Sequence, residues 1–468
     1  MSVQTAIGAA PAAAQPLDSS FAHLERAGLP SAGRTVVARA PLPLDVMGGV
    51  ADATGALALC WPLHESVVVA VQPRDDCRIS LARLSSECES AGEPALWPVG
   101  FFADNAEPCA TPAAPVSGSL AERAIHALLR VLVQLGGAAH FGGGVSIYID
   151  GAADDNHLES SISVQAAALL ALSRFFERSI EAQEAVAICQ QAQRIVPGIP
   201  LGPAAPWTVL TGEAGVPLQV RAPAGPSASA LCLPPGITVL GIMSGSRHRE
   251  AARKCCDAHV AAAMGRRIVQ TLLAGAADGT VWTGQLGNLT VSEYVTKLRD
   301  KLPTQMRGKA FSQRFGELPE CGAALAPESF YKIRSRTEHH VYENARAHQF
   351  IDRLARTTRT GERGALLDAG ELMYASHWSC GQRCGLGDLA TERLVNALRR
   401  RGPADGIWGA RTSGCGSGGV VSVLLSDTPA ARQTIAEVVN AYEAHTGFRT
   451  HLLSGSSDGA LLHGADEF

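Results

Sequence analysis

The sequence predicts an α+β protein with two lobes, and three features support this prediction. Short apolar or β-branched runs interrupted by Gly and Pro, as in residues 35–40 and 66–73, are typical of β-strands. Segments with apolar residues three and four positions apart, as in residues 119–135, are typical of helices. A Gly- and Pro-rich stretch over residues 222–235 separates two halves that each contain both kinds of element.

The N-terminal half alternates between strands and helices. A third predicted strand covers residues 57–63, between the two named above. The helix that follows has Ser119 at its start, where a serine hydroxyl can accept a hydrogen bond from an N–H group of the first turn. Residues 145–150 predict another strand, followed by a polar loop and a helix over about residues 161–177.

The C-terminal half repeats this mixture. Residues 237–242 and 419–425 each predict a strand, and several helices lie between them. The pair Thr428-Pro429 predicts the start of a final helix, because proline is tolerated in the first turn, where its missing N–H group is not needed.

These patterns divide the chain into a tail and two lobes. Residues 1–33 are rich in Ala, Pro and Ser without periodicity, which predicts a flexible tail. We expect an N-terminal lobe over residues 34–225 and a C-terminal lobe over residues 236–460. A chain of 468 residues is long enough for two or three domains.

The composition argues against several classes of partner. The net charge of −4 gives no overall positive field to favour nucleic acid or an acidic membrane surface. No apolar run approaches the roughly 18–20 residues that span a bilayer. The first residues lack the basic start and apolar centre of a secretory signal. The sequence therefore predicts a cytoplasmic protein that binds neither nucleic acid nor a membrane.

The cysteines do not indicate a disulfide framework. The chain has 12 cysteines but no CxxC pair. Cys380 and Cys384 are four residues apart, a spacing that puts both on one helix face. A zinc site at this pair is one interpretation, and reduced, mostly buried thiols are the favoured one.

Two glycine-containing motifs near opposite ends of the chain carry the functional signal. The first is Asp45-Val-Met-Gly48-Gly49-Val-Ala-Asp52, and the second is Gly414-Cys-Gly416-Ser417-Gly418-Gly419. Together they resemble the first and third motifs of the GHMP small-molecule kinases, most closely the arabinokinase and galactokinase branch. The segments Tyr342-Glu-Asn344 and Ser376-His377 also resemble arabinokinase segments.

This resemblance covers roughly residues 35–455 and implies a fold, a reaction and a set of site residues. The fold is the two-lobed GHMP kinase fold, with an N-terminal lobe like ribosomal S5 domain 2 and a ferredoxin-like C-terminal lobe. The reaction is ATP- and Mg²⁺-dependent phosphorylation of the anomeric hydroxyl of a monosaccharide such as L-arabinose or galactose. The implied sugar-binding residues are Gly48, Gly49 and Asp52; the implied nucleotide-binding residues are Ser160, Ser161, Gly414, Gly416, Ser417 and Gly418, with Ser160 also a Mg²⁺ ligand.

The phosphate-binding loop departs from the family pattern. In the family, two glycines precede a run of serines at the start of a helix. In residues 153–161 those glycines are replaced by Asp155 and His157, which removes the freedom to adopt positive φ and the space for close backbone approach. The acidic side chains of this loop would also repel a triphosphate. The helix Glu that supports the metal ion is replaced by Gln165, a poorer ligand for Mg²⁺.

The catalytic base and its partner are replaced as well. In galactokinase-like enzymes an Asp accepts or orients the proton of the sugar hydroxyl, and an Arg stabilises that Asp and the phosphate. Ala205 occupies the Asp position and Pro43 the Arg position in this chain. Neither side chain can take a proton or stabilise negative charge. An active enzyme would need a substitute base, for which Glu213 and Asp154 are the nearest acidic candidates in sequence.

Three functions follow from these observations. The first is an active sugar kinase that uses a substitute base. The second, which the missing groups favour, is a pseudokinase that keeps the fold and the sugar pocket, binds ATP and Mg²⁺ weakly or not at all, and acts through a protein partner. The third is a non-kinase enzyme in the same cleft, for which the sequence offers no positive feature.

Overall fold

The computed structural model has two large β-sheets with helices packed against them, and the predicted α+β fold is confirmed. The structure describes residues 17–31, 33–84, 95–98, 119–135, 144–151, 160–196, 202–222, 225–226, 231–246, 251–274, 282, 284–319, 321, 325–414 and 419–468.

The first sheet is built mainly from the N-terminal half. Its strands are β1 (Val36–Met47), β2 (Leu57–Pro73), β3 (Arg78–Arg83), β4 (Ala95–Pro98), β5 (Val145–Gly151), β6 (Leu218–Arg221), β7 (Gly225–Pro226) and β14 (Ala465–Glu467). The main order is β14-β1-β2-β5-β3-β4, and β6 pairs with both β2 and β7. Only the β3–β5 pair among these described strands is parallel. The chain therefore returns at its C-terminal end to the edge of β1.

The second sheet belongs to the C-terminal half. Its strands are β8 (Ile237–Met243), β11 (Ile407–Thr412), β12 (Val420–Ser426) and β13 (His451–Leu453), in the antiparallel order β11-β12-β8-β13. A separate two-stranded sheet pairs β9 (Met306–Arg307) with β10 (Phe330–Tyr331). The third motif lies in the connection between β11 and β12.

Helices cover these sheets and join them. They are α1 (Leu17–Arg26), α2 (Leu120–Gln134), α3 (Ser160–Phe175), α4 (Ala182–Ile195), α5 (Ala204–Thr211), α6 (Ala251–Ala274), α7 (Gly308–Phe315), α8 (Ile333–Thr360), α9 (Arg363–Ser379), α10 (Leu389–Arg401), α11 (Pro429–Thr446) and α12 (Ala460–His463). Helix α3 packs on β1 and β2, and α9 packs on α8 and β11. None of the helices in the described part of the chain combines the length and apolar character that a bilayer crossing needs.

Local sequence signals placed several elements correctly. Ser119 caps α2 through a capping box, because its hydroxyl accepts the N–H of Glu122 at 3.2 Å and the Glu122 carboxylate accepts the N–H of Ser119 at 3.0 Å. Thr428 caps α11 through a single hydrogen bond, because its hydroxyl accepts the N–H of Ala431 at 3.2 Å. Both predicted helix starts are confirmed. The two strands predicted at residues 57–63 and 66–73 are instead one continuous strand, β2.

The prediction of a flexible tail over residues 1–33 is wrong for the segment that forms α1. Leu24 of this helix is fully buried, in a cluster with Val37 of the first sheet. The ring of Phe21 stacks on that of Phe468 with 4.4 Å between the ring centroids. The helix is thus held by contacts with distant parts of the chain, which local composition does not reveal. Residues 1–16 and 32 lie outside the described residues.

Candidate functional site

The first motif covers the end of β1 and the short 3-10 helix Gly49–Thr54. Gly48 has a φ of 113°, and a Cβ atom there would lie 2.7 Å from the Leu57 carbonyl oxygen, so only glycine allows this close turn. The carboxylate of Asp45 accepts the N–H of Gly49 at 3.1 Å and that of Gly414 at 3.0 Å. Asp45 therefore brings the first and third motifs together.

A buried ion-pair network holds this junction. The side chain of Arg411, on β11 just before the third motif, is 1% exposed and pairs with Asp45. Its Nε donates to the Ser376 hydroxyl at 3.0 Å, and Ser376 in turn bonds to the buried Glu343, which pairs with Arg346. Burial acts to lower the pKa of Arg411, but the Asp45 and Glu343 carboxylates outweigh it, and the pKa is raised.

The network uses residues that the site assignment missed. Neither Arg411 nor Glu343 was among the predicted site residues. A signal was nevertheless present, since Glu343 and Ser376 lie in the two segments that resemble arabinokinase. A second contact in this region joins His377, through its Nδ1 atom, to the hydroxyl of Thr412 at 2.9 Å.

Asp52, the predicted sugar ligand, lies against the segment in which the family carries its base. Its Oδ2 atom accepts the N–H of Ala204, the first residue of α5, at 3.2 Å. A Cβ atom at Gly202 would lie 1.9–2.1 Å from the carboxylate atoms of Asp52, so that carboxylate occupies the space a side chain would take. Ala205 is the next residue along α5. Its methyl group stands at the position where the family has the Asp.

The structure also places Pro43, which replaces the family's Arg, and Glu213, one of the two candidate substitute bases. Pro43 is buried in β1, where it pairs with Pro62 of β2 next to an irregularity in the strand register. Proline cannot donate a ladder hydrogen bond, which accounts for its position beside such an irregularity. Glu213 is exposed beyond the far end of α5, with about 9 Å of helix between Ala205 and that end. It is therefore poorly placed as a substitute base. Asp154 lies outside the described residues.

The predicted phosphate-binding serines begin α3, and Ser161 takes part in helix packing. Its hydroxyl accepts a hydrogen bond at 2.8 Å from the side-chain amide of Gln193 on α4. The same amide donates to the Gln165 side-chain oxygen at 2.8 Å, and the Gln165 amide donates to the Ala124 carbonyl at 3.2 Å. Ser160 and Gln165 are both buried. Loop residues 152–159 and the third-motif residues Gly416, Ser417 and Gly418 lie outside the described residues.

We expect Gln165→Glu to destabilise the protein in a pH-dependent way. A protonated glutamic acid can donate a hydrogen bond to the Ala124 carbonyl, as the Gln165 amide does. An ionised glutamate cannot, because its carboxylate and the carbonyl are both acceptors. Burial raises the pKa of such a carboxyl in the folded state, so the full stability is present below the unfolded pKa of about 4.3 and is lost as the pH rises from there through the raised pKa. The loss at pH 8 should be about 1–3 kcal/mol.

Urea unfolding of the variant and the parent protein at pH 5 and pH 8 measures this change. The matched control is Gln349→Glu, at an exposed position of α8. An equal and pH-independent effect of the two substitutions would contradict the packing role of Gln165.

The residue in the place of the family's metal-supporting Glu takes part in helix packing. In the part of the chain that the structure describes, no three His, Cys, Asp or Glu side chains are grouped to hold a metal ion. The Gln165 side chain, which takes the place of the supporting Glu, is directed to Gln193 and to the backbone of α2. Cys380 and Cys384 form no disulfide and are buried in an apolar cluster with Cys255, and burial raises the pKa of the Cys384 thiol. The zinc interpretation of this pair therefore gains no support.

The chain is similar in sequence and in structure to known sugar kinases. No protein-family model matches the chain. An L-arabinokinase from Arabidopsis thaliana is 26% identical over 91% of this chain, and the chain spans only about half of that relative, 46% of its length. The structure of Lactococcus lactis galactokinase complexed with galactose matches with a TM-score of 0.71 at 15% identity, over 95% of this chain and 98% of that one. The predicted resemblance to the arabinokinase and galactokinase branch of the GHMP kinases is confirmed.

The fold is also similar to that of a mevalonate kinase. An L. major mevalonate kinase in complex with R-mevalonate matches with a TM-score of 0.52 at 15% identity, over 91% of this chain and 97% of that one. The predicted two-lobed GHMP kinase fold is therefore confirmed. At these identities the structural likeness shows the fold alone, and function has to be argued from the site.

Proposed function

We propose that this chain is a sugar-binding GHMP-kinase-like protein whose phosphotransfer is strongly reduced or lost. The observation that carries the proposal is the position of Asp52, whose carboxylate bonds to Ala204 beside a base position that holds only the methyl group of Ala205. A carboxylate held in this way is suited to accept hydrogen bonds from sugar hydroxyls. The proposed ligand is a monosaccharide such as L-arabinose or galactose.

The proposal of weak phosphotransfer rests on several replacements that act on one step. Ala205 cannot accept a proton, and Pro43 cannot stabilise charge on the transferred group. Gln165 is engaged with Gln193 and Ala124, which leaves it poorly placed to support a metal ion. The loss of a single group of this kind typically costs about 10² or more in rate. In such a protein ATP and Mg²⁺ would bind weakly, and a protein partner would respond to the bound sugar.

The proposal is tested by separating sugar binding from phosphorylation. Calorimetric titration with L-arabinose and with galactose, without nucleotide, should give saturable binding that Asp52→Asn removes. A sensitive assay of sugar phosphate with ATP and Mg²⁺ should show turnover far below the roughly 1 s⁻¹ of an ordinary kinase. Turnover near that rate, or sugar binding unaffected by Asp52→Asn, would overturn the proposal.

The second candidate is an active sugar 1-kinase in which Asp52 also takes the proton. The observation that favours it is again the hydrogen bond between Asp52 and Ala204, which brings a carboxylate next to the vacant base position. In that case Asp52→Asn would abolish turnover. The sugar phosphate assay distinguishes the two candidates directly.

Gly202→Ala should lower sugar affinity about tenfold or more while leaving most of the stability intact. The added methyl group would overlap the Asp52 carboxylate, and this flexible side chain would have to rotate away from Ala204. A displaced carboxylate would lose a charge-assisted hydrogen bond to the sugar, which is worth about 1.5–3 kcal/mol of binding free energy. Titration calorimetry measures the affinity. Gly364→Ala is the matched control, because its added Cβ would meet only the Glu362 side chain, at 3.7 Å.

A further inference from the structure

A cavity lined by none of the motif residues lies between α10 and α11. Its volume is about 730 Å³. Helix α10 contributes Arg393, Asn396 and Arg400 to its wall, and α11 contributes Val438 and Tyr442. Ligand sites in proteins commonly have volumes of about 300–1,000 Å³, so this groove is large enough for a small molecule.

The groove carries an excess of positive charge. Four arginines line it, against the single carboxylate of Glu437. Two of these arginines are paired: Arg399 with Glu371 at 2.8 Å, and Arg401 with both Glu437 and Asp405. The other two, Arg393 and Arg400, are exposed and make no hydrogen bond or ion pair with a described residue.

The two unpaired arginines lie on one face of α10. They are seven residues apart, which is almost two helical turns and about 10 Å along the axis. Asn396, three residues after Arg393, lies between them on the same face and adds an amide donor. Ala397, Val438 and Ala441 supply an apolar floor. The groove thus combines two separated guanidinium groups with an apolar surface between them.

The helix dipole accounts for only part of this pattern. Basic residues in the last turn of a helix interact favourably with its negative end, which explains Arg399, Arg400 and Arg401. Arg393 comes directly after the first turn of α10, where the dipole gives a cation no advantage. The dipole therefore does not explain the presence of Arg393 on the same face as Arg400.

We propose that this groove binds a small phosphorylated organic anion. A guanidinium group can form two parallel hydrogen bonds to one phosphate, so Arg393 and Arg400 would each hold one phosphoryl group or one end of a polyphosphate chain. The organic part of the ligand would pack on Val438 and Ala441. This site is separate from the sugar pocket and does not depend on the function proposed for that pocket.

The test uses inorganic tripolyphosphate as the probe and the full chain as the protein. Calorimetric titration of the parent protein is compared with Arg393→Gln/Arg400→Gln. The double variant should lose about tenfold or more in affinity, because two charge-assisted contacts are removed. The matched control is Arg314→Gln/Arg359→Gln, which removes the same charge from exposed positions on α7 and α8 and should change affinity less than about twofold. A third variant, Ala441→Glu, puts a negative charge on the floor and should also abolish binding.

The same titrations with ATP and with a sugar phosphate show which kind of ligand the groove prefers. Tighter binding of ATP would indicate a polyphosphate chain, and tighter binding of the sugar phosphate would indicate a single phosphoryl group. Absence of tripolyphosphate binding to the parent protein would overturn the proposal. Equal binding by the parent and the Arg393→Gln/Arg400→Gln variant would also overturn it, since the probe would then occupy another site. Binding of RNA or anionic vesicles without binding of tripolyphosphate would assign the groove to a macromolecule instead and overturn the small-ligand proposal.

Discussion

Replacement of Asp45 by alanine should lower the free energy of unfolding by about 3–5 kcal/mol. Arg411 is almost completely buried, and its guanidinium would keep its charge without the carboxylate that faces it. Its distance to the other nearby carboxylate, Glu343, is 4.0 Å, which leaves only a weak second pairing. The N–H groups of Gly49 and Gly414 would lose their acceptor as well. Urea or thermal unfolding measures the change.

Two variants show whether the uncompensated charge is the cause. Asp45→Asn/Arg411→Met removes both charges and keeps an amide oxygen for the two N–H groups, so it should recover a large part of the lost stability. Glu371→Ala breaks the exposed pair with Arg399 and should cost less than about 1 kcal/mol. If Asp45→Ala cost no more than Glu371→Ala, the buried pair would not be what stabilises the junction of the two motifs.

This junction illustrates what the sequence could and could not predict. The glycines of both motifs could be assigned from the sequence, because a tight turn and a close approach require that residue type locally. The pairing of Asp45 with Arg411 joins positions 366 residues apart. No local periodicity or cap connects such positions, and a buried arginine has no sequence signature that separates it from an exposed one. The same limitation applies to α1, whose contact with Phe468 spans almost the whole chain.

In the candidate site, too, the sequence predicted residue types but not the contacts between distant segments. Alignment with the family motifs predicted which positions lack their functional groups, as at Ala205 and Pro43. It did not predict that the Asp52 carboxylate would occupy the space at Gly202, because that contact depends on how α5 packs against the first motif. It also did not predict that Gln165 would bond to Gln193. This contact indicates that Gln165 is a packing residue rather than a weakened metal ligand.

Restoring the base should raise sugar phosphorylation only if the phosphate-binding loop is restored too. We expect Ala205→Asp/Pro43→Arg alone to give little sugar phosphate, because a base cannot act on a phosphate that is not held. Ala205 lies in the first turn of α5, where the helix dipole favours a carboxylate, so the new side chain should be tolerated. Asp155→Gly/His157→Gly alone should restore some nucleotide binding without turnover.

The four substitutions together should raise the rate of sugar phosphate formation by about 10² or more above the product of the two separate gains, because these groups act as a unit. Gln165 is left unchanged, since a glutamate there would face the Ala124 carbonyl and weaken the fold. The assay follows sugar phosphate with ATP, Mg²⁺ and either L-arabinose or galactose, and Asp52→Asn in the four-substitution background should abolish the gain by removing the sugar ligand. A rate increase equal to the product of the two separate increases would contradict this expectation. It would mean that the base and the phosphate-binding loop act independently rather than on one common step.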